Sequence, residues 1–595
     1  MEKYNTRNDV PLKYRWDLTD FFKDEEDFLL NYNKAVEDVK TLNKYIGCTK
    51  DSNKLYEFLN KIFNVGSLVL DLYVYAYLIN DQELGISDSI ARKAKTEKLY
   101  ADYNNAVCFF EPELLELSNE EYSLLFKNEK LDEFKNYLDR VYRSKEHILT
   151  KNEEMIINEL TSSMDHFDDM SSTMLNQEHD YGKVIIDGEE EVITSTNYRR
   201  LMKCENRETR KEVREKYLKV LDQYAVSSSQ FLDSFVKKNV AECKIRKYKS
   251  CFDSKLFSLN MTNEVFDTLV NTVEKNSSAF QKYLKIFKDV HNLDKLYPYD
   301  LEIKFAKSDK KYTIEEAQDL CLEAVKPLGE EYLKRFKKIF DNRYIDYAQY
   351  KGKCSGGYSY ATYDKDSRIL MSFNNDLDSV STIIHEGGHN VNHQIMNDNN
   401  PIQYRDMTPI VAEVASLTNE CLLSSYLAFN GKSKEEKLSG IANIIRVINS
   451  NLFGAVREGH MEQEFYNYVE NGGTITKDYM NNLTKKYIDN LYGNEVESDS
   501  YSYLSWINRS HYYNFFYLYS YSICISVASY LAGEILNGNK EVLDKYTKFL
   551  SIGSDVWPVD AFKVLGIDLT KPLVYEKAIK YYENLLNKFN EVYSS

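Results

Sequence analysis

The run Ile383-Ile384-His385-Glu386-Gly387-Gly388-His389-Asn390 sets the strongest limit on what this chain can fold into. Its two histidines, four residues apart, converge only on an α-helix, where positions i and i+4 lie one turn apart on one face. So arranged, they grip a single metal ion. Glu386 lies about 100° around the helix from His385. It is set to reach a water beside that ion rather than the ion itself, which is the place of a general base. The apolar residues Ile383 and Ile384 put the helix in a protein interior. Histidine is scarce, nine in 595 residues, so a chance pairing at this spacing is the weaker reading.

The rest of the chain favours long helices. Only 8 prolines and 22 glycines interrupt 595 residues, of which 43% are hydrophobic and 28% charged. That composition suits a folded, mainly α protein with more than one domain. Leu55, Phe58, Leu59, Ile62 and Phe63, like Leu99, Tyr103, Val107 and Phe110, repeat at the spacing of one buried helical face. Asp17 or Thr19 reads as a helix cap. Residues 181–194 read instead as a β-hairpin turning at Asp187-Gly188. This seam divides an N-terminal helical region, 1–195, from a catalytic region, 196–595. Residues 197–249 are helical and charged with both signs, a solvated face. Residues 263–290 and 313–341 read as two further helices.

Several function classes are excluded. The net charge is −17 and no Lys/Arg block breaks the chain, so no nucleic-acid partner is expected. No run of 18 apolar residues suggests a membrane span, and the polar N-terminus shows no secretory leader. The nine cysteines are scattered without C-x-x-C spacing. This argues for reduced thiols in a cytoplasmic protein and against a thiolate metal site.

A catalytic zinc site takes three protein ligands and a water. His393, eight residues past His385, points about 80° away from it on a helix and suits a supporting role. Glu413 is better placed. Met407-Thr408-Pro409 can open a second helix, with Thr408 as cap and Pro409 at the first position. Glu413 then falls one turn in, on an apolar stretch where an unpaired carboxylate is costly. Glu420, seven residues on, shares its face and can orient a ligand through a hydrogen bond.

Two further stretches surround this centre. Gly352-Lys353-Cys354-Ser355-Gly356-Gly357-Tyr358-Ser359 is a glycine-bearing loop without phosphate-loop spacing. Before the short strand expected at Arg368-Ile369-Leu370-Met371-Ser372-Phe373, it suits a peptide docking by strand addition at Gly356, Gly357 and Tyr358. An ordinary scaffolding hairpin fits the same residues. Segment 506–521 gathers tyrosines behind His511. Tyr hydroxyls and a His N–H are suitable donors for a developing oxyanion. An aromatic core helix is an equal reading of Tyr517 and Tyr521, four residues apart.

Taken together, these stretches resemble the oligoendopeptidase F branch of the thimet oligopeptidase family of zinc metallopeptidases. Tyr14-Arg15-Trp16-Asp17-Leu18-Thr19-Asp20-Phe21-Phe22 resembles that branch's W-D-L-x-D-[IL]-[FY] start. The 352–359 loop resembles G-K-x-S-G-[AG]-Y-S, and His385-Glu386-Gly387-Gly388-His389 matches H-E-x-G-H. Glu413-Val414-Ala415-Ser416 with Glu420 resembles E-[IV]-[AP]-S-x-x-x-E, and 511–521 resembles H-F-Y…F-Y-x-Y-x-Y. The resemblance implies a large helical zincin-type metallopeptidase, with a deep substrate channel and small β elements near the active site. It implies one Zn²⁺ per chain on His385, His389 and Glu413, with Glu386 as general base. It implies His511 and Tyr519 as oxyanion donors, with Tyr512 beside them. Tyr517 joins the peptide-binding surface. The expected activity is hydrolysis of internal bonds in short oligopeptides by a cytoplasmic enzyme. One departure is Asn392, where many relatives carry a histidine. Alternatives are a helical zinc carboxypeptidase, which shares the motif, and a non-catalytic helical scaffold. No solenoid repeat supports the scaffold.

Overall fold

The computed structural model describes residues 4–164, 166–176, 179–186, 188–306, 308–406 and 408–595. The architecture is mainly α. Among the described residues, named strands are confined to one two-stranded hairpin and one three-stranded sheet. The chain divides into two compact units, each assembled from three separate stretches. The expected seam after residue 195 follows a change of local texture. The units instead follow spatial packing, so the chain enters each of them more than once.

One unit gathers Met1–Glu146, Lys310–Tyr426 and Leu531–Gly566. Its spine is the helix Ser52–Gln82, capped by the Asp51 carboxylate, which accepts the Asn53 and Lys54 N–H groups. Leu55, Phe58, Leu59 and Ile62 are buried along it, as their spacing predicts. By length and composition this helix could cross a membrane; here its apolar residues form a protein core. The N-terminal cap reading is corrected. Asp17 accepts the Thr19 N–H at 3.0 Å in a turn, and the first α-helix begins at Glu25 behind Asp24. Leu18, Phe21 and Phe22 are buried without belonging to a helix.

The same unit holds the small sheet. Arg368–Leu370 is its central strand, parallel to Ile345–Asp346 and antiparallel to Tyr358–Tyr360, which forms an edge. The strand is shorter than the sequence suggests. Lys353 is buried inside the preceding loop, where its Nζ donates to the Asp346, Ala348 and Met371 carbonyls at 2.8–3.0 Å. It also pairs with the Asp346 carboxylate at 2.7 Å. A buried ammonium needs this full set of acceptors. In return it ties the glycine loop to two strands.

The expected helix over 313–341 is two helices, Ile314–Val325 and Glu330–Asp341. Pro327 ends the first, and Gly329, at φ +92°, turns the chain into the second.

The other unit gathers His147–Asp309, Leu427–Tyr530 and Ile567–Ser595. The hairpin forms as expected, Lys183–Ile186 against Glu189–Val192, although Asp187 of its turn lies outside the described residues. The long helix Arg207–Ile245 starts behind Asn206, whose side chain accepts the Thr209 N–H. Its charged face is not wholly solvated. Arg210 is buried, bonded to the Tyr299, Cys204 and Glu205 carbonyls and to the buried Asp300. The helix expected over 263–290 breaks at Asn276 into Asn263–Lys275 and Ser277–Val290.

Candidate active site

The histidine helix runs Leu377–Asn399, opened by Asp376, whose carboxylate accepts the Ser379 N–H at 2.9 Å. Val380, Ile383, Ile384 and Val391 are buried. His385, Glu386 and His389 stay partly open to solvent. The glutamate helix, Pro409–Asn430, begins with Pro409 at its first position, as expected. The Thr408 carbonyl accepts the Ala412 N–H at 3.1 Å; Met407 lies outside the described residues.

The two helices touch backbone to backbone at Gly388. A Cβ there would lie 2.8 Å from the Ser416 Cα and 3.0 Å from the Ala415 carbonyl oxygen. Any side chain would force the helices apart. Gly387 is equally constrained, since a Cβ would sit 2.5 Å from the Phe336 ring. Gly388 therefore sets the crossing with the glutamate helix, while Gly387 seats the histidine helix on Phe336 of the helix Glu330–Asp341.

Glu413, three residues before Ser416, is thereby carried beside the histidines. Its Oε2 lies 3.7 Å from His385 Nε2, and its Oε1 lies 3.9 Å from His389 Nε2. One donor atom from each residue lies within 4.8 Å of the others. Two imidazoles and a carboxylate, converging without an intervening side chain, fit a divalent metal with borderline N/O preference, such as Zn²⁺. His385 Nδ1 lies 2.6 Å from Glu420 Oε1. With Nδ1 donating to that carboxylate, the Nε2 lone pair faces the cluster. Ser416 Oγ donates to Glu413 Oε2 at 2.9 Å and fixes the third group. Sequence reading missed Ser416; its place one turn after Glu413 was the available signal.

The electrostatics follow from five titratable groups, His385, Glu386, His389, Glu413 and Glu420, gathered in one partly buried cluster. Burial works to lower His385, but the Glu420 hydrogen bond and the charges of Glu420, Glu413 and Glu386 outweigh it and carry its pKa up to about 9. Burial, then the charge on His385, pushes His389 down. Burial raises the Glu386 carboxyl against the opposing charge of His385, and Glu413 and Glu420 add to the rise. A carboxyl displaced toward neutrality is suited to taking and returning a proton.

His393 stands apart. Its Nδ1 lies 3.3 Å from the Asn397 side chain, and it is not a member of the His385, His389 and Glu413 cluster. Asn392 is fully buried, its Nδ2 donating to the Leu550 carbonyl at 2.8 Å. That is a packing tie, so the departure from histidine costs no ligand.

At the sheet edge, Gly356 adopts φ +98°, open only to glycine without strain. A Cβ on Gly357 would come within 3.2 Å of Thr382 on the histidine helix. Tyr358 is half-buried and its hydroxyl donates to Asp81 at 2.8 Å, so its side chain serves the framework. What the strand leaves available is main chain.

In the second unit, segment 511–521 is not one helix. Ser510–Tyr513 forms a 3₁₀ turn and Leu518–Leu536 an α-helix. Between them Phe516 sits at φ +47°. This geometry corrects two expected donors. Tyr519 is 2% exposed, its ring set edge-on to Phe252 and Phe266. Tyr512 is 1% exposed against Phe465. Their rings are core. Of its histidine and tyrosines, His511, Tyr513, Tyr517 and Tyr521 are partly exposed, the Tyr513 ring packing on Phe235. Tyr521 lies 5.1 Å from Tyr517 and 6.4 Å from His511 between ring centroids. Tyr519 and Tyr521, two residues apart on the helix from Leu518, point to nearly opposite sides, while Tyr517 lies just before that helix. Burial, then the charge of Arg509, lowers His511, leaving a neutral imidazole with an N–H to donate.

The sequence matches the family profile described as Peptidase family M3 over residues 200–581, and that described as Oligopeptidase F over 113–180. It is 30% identical to Oligopeptidase PepF of Bacillus subtilis, covering 98% of this chain and 88% of that one. It is 27% identical to Group B oligopeptidase PepB of Streptococcus agalactiae, over 98% and 97%. The fold superposes on oligoendopeptidase-F from Enterococcus faecium with a TM-score of 0.71 and 25% identity, covering 96% and 99% of the two chains. A crystal structure from Chlamydophila abortus gives 0.94 at 25% identity, over 99% and 100%.

Proposed function

The chain belongs to peptidase family M3 and is a metalloendopeptidase, and from that premise we propose that it uses Zn²⁺ to hydrolyse internal bonds of short oligopeptides, with Glu386 as general base. The observation that carries this reading is the convergence of His385, His389 and Glu413 within 4.8 Å, with Glu386 on the adjoining turn. Its relatives include an oligopeptidase and an oligoendopeptidase, which supports short peptides as substrates.

When bound, the metal supplies Lewis-acid chemistry, polarising the scissile carbonyl and making water easier to deprotonate near neutral pH. Glu386 takes the proton from the attacking water and returns it to the leaving amine. Glu420 holds His385 in the tautomer that leaves Nε2 free, and Ser416 orients Glu413. The peptide main chain pairs with the outer edge of Tyr358–Tyr360, where Gly356 and Gly357 leave the backbone uncovered. By their place in the family's H-F-Y…F-Y-x-Y-x-Y element, the His511 N–H and the Tyr521 hydroxyl are assigned as donors to the developing oxyanion. Tyr517, beside Tyr521, contacts the peptide.

The test is Glu386→Gln on a quenched fluorescent peptide, with metal content measured in parallel. The expected outcome is retained metal and a kcat lower by about 10²–10⁴-fold. Near wild-type turnover in Glu386→Gln sinks the assignment. Product mapping separates the endopeptidase from a carboxypeptidase, which would release C-terminal residues singly.

A further inference from the structure

The segment that carries His511 and Tyr521 has little regular structure to hold it. It passes from the 3₁₀ turn Ser510–Tyr513 to the helix from Leu518 through Phe516, a bulky residue in the left-handed region. A phenylalanine at φ +47° is held there only where its surroundings over-determine it. The helix Ala455–Glu470 supplies that constraint. Glu462 is completely buried, and its Oε1 accepts the Phe516 backbone N–H at 2.9 Å. The Phe516 ring is packed between Phe252, at 4.9 Å, and Tyr466, at 4.7 Å. One turn earlier on the same helix, Glu458 pairs with Arg509 and, at 2.7 Å, with Arg457. Two acids, four residues apart, thus hold the chain on both sides of His511.

Burying a carboxyl completely is costly, and a structural need for one hydrogen bond rarely demands it. Glu462 Oε2 finds no hydrogen-bond partner among the described residues. Burial pushes the Glu462 carboxyl up to about 8, the Phe516 N–H and the charge of Lys255 opposing and Glu458 adding to the rise. The group is therefore predominantly a neutral acid at pH 7. What it offers Phe516 is a carbonyl-type acceptor, which an amide reproduces.

We propose that Glu462 is a positioning residue for catalysis: by accepting the Phe516 N–H it locks the left-handed corner from which His511, on one side, and Tyr517 and Tyr521, on the other, are presented. This rests on the reading of His511 and Tyr521 as oxyanion donors. The corner acts chiefly on donor placement, so it governs kcat more than KM, which it touches only through Tyr517. A displacement of about 1 Å in a reacting group costs about 10²-fold in rate.

The experiment compares the full-length, metal-loaded enzyme with Glu462→Gln and Glu462→Asp. Two readouts are taken: kcat and KM on one peptide, and amide hydrogen exchange of the peptide spanning Phe516. Glu462→Gln keeps the acceptor and is expected to retain wild-type kcat and protection. Glu462→Asp withdraws the acceptor by one methylene and is expected to lower kcat by about 10–10²-fold with a smaller change in KM, and with faster exchange at Phe516. If Glu462→Asp does not fold, Glu462→Met, of similar volume and without an acceptor, takes its place. Unchanged exchange in the acceptor-deficient variant overturns the lock. Faster exchange with unchanged kcat overturns its catalytic role. Equal loss in Glu462→Gln overturns the acceptor in favour of a charge pair with Lys255. His511→Ala and Tyr521→Phe are assayed alongside. If both keep wild-type kcat, the donor reading fails, and with it the catalytic role, while the exchange result still decides the lock.

Discussion

The metal cradle and the aromatic segment are built on opposite principles. In the cradle every functional group sits on a regular helix, and two crossing helices meet where Gly388 lets the Ser416 backbone come close. Its geometry follows from 3.6 residues per turn and one glycine. In segment 511–521 the groups straddle a left-handed residue between two helical pieces. Their directions depend on what the corner packs against, including a buried acid from a distant helix. Helix geometry accounts for how the candidate ligands converge in the first region; in the second, the family resemblance points to Tyr512 and Tyr519, whose rings lie in the core.

This contrast can be broken at several points. The largest effect is expected from removing a ligand: His389→Ala or Glu413→Ala should abolish both metal retention and activity, read by metal analysis and peptide turnover. Retained stoichiometric metal in either would end the three-ligand reading. Next, Tyr521→Phe should lower kcat by about 10²–10³-fold, as loss of an oxyanion donor does, while Tyr519→Phe should leave kcat unchanged. The reverse pattern would restore the sequence reading of Tyr519. Glu420→Ala should weaken metal affinity by about 10–100-fold, measured by competition with a chelator, because only the orienting hydrogen bond is lost. Gly388→Ala tests the crossing itself. Overpacking there should cost about 1–3 kcal/mol in denaturant unfolding and loosen metal binding. A Gly388→Ala protein with wild-type metal affinity would show that the helices separate without moving Glu413.

Much of the cradle was legible because its information is local. His385 and His389 at i and i+4, Pro409 as a helix start, and the angular offset of His393 all follow from helix geometry. Glu413 could be placed because a carboxylate among Val411, Ala412, Val414 and Ala415 demands a partner. The mainly α architecture was legible for the same reason. What escaped was set by tertiary contact. Asp17 looks like a cap, yet it closes a turn whose apolar residues go to the core. Lys353 reads as a loop cation, yet it is buried under three carbonyls. Tyr519 and Tyr521 are alike in sequence. Only the corner at Phe516 decides which one turns inward. The helix breaks at Asn276 and at Gly329 show the same limit, since a single residue outweighed a continuous apolar period.

The tie between Asn392 and the Leu550 carbonyl carries a consequence for biosynthesis. It joins residues 158 positions apart, and Asn400 makes a similar bond to Ser551 across 151. The unit that holds the histidine helix includes residues up to Gly566. A nascent chain can wind that helix early and pack it on Phe336, but it cannot complete that packing until Leu550 and Ser551 have left the ribosome. Full rigidity of the histidine helix is thus deferred to a late stage of translation.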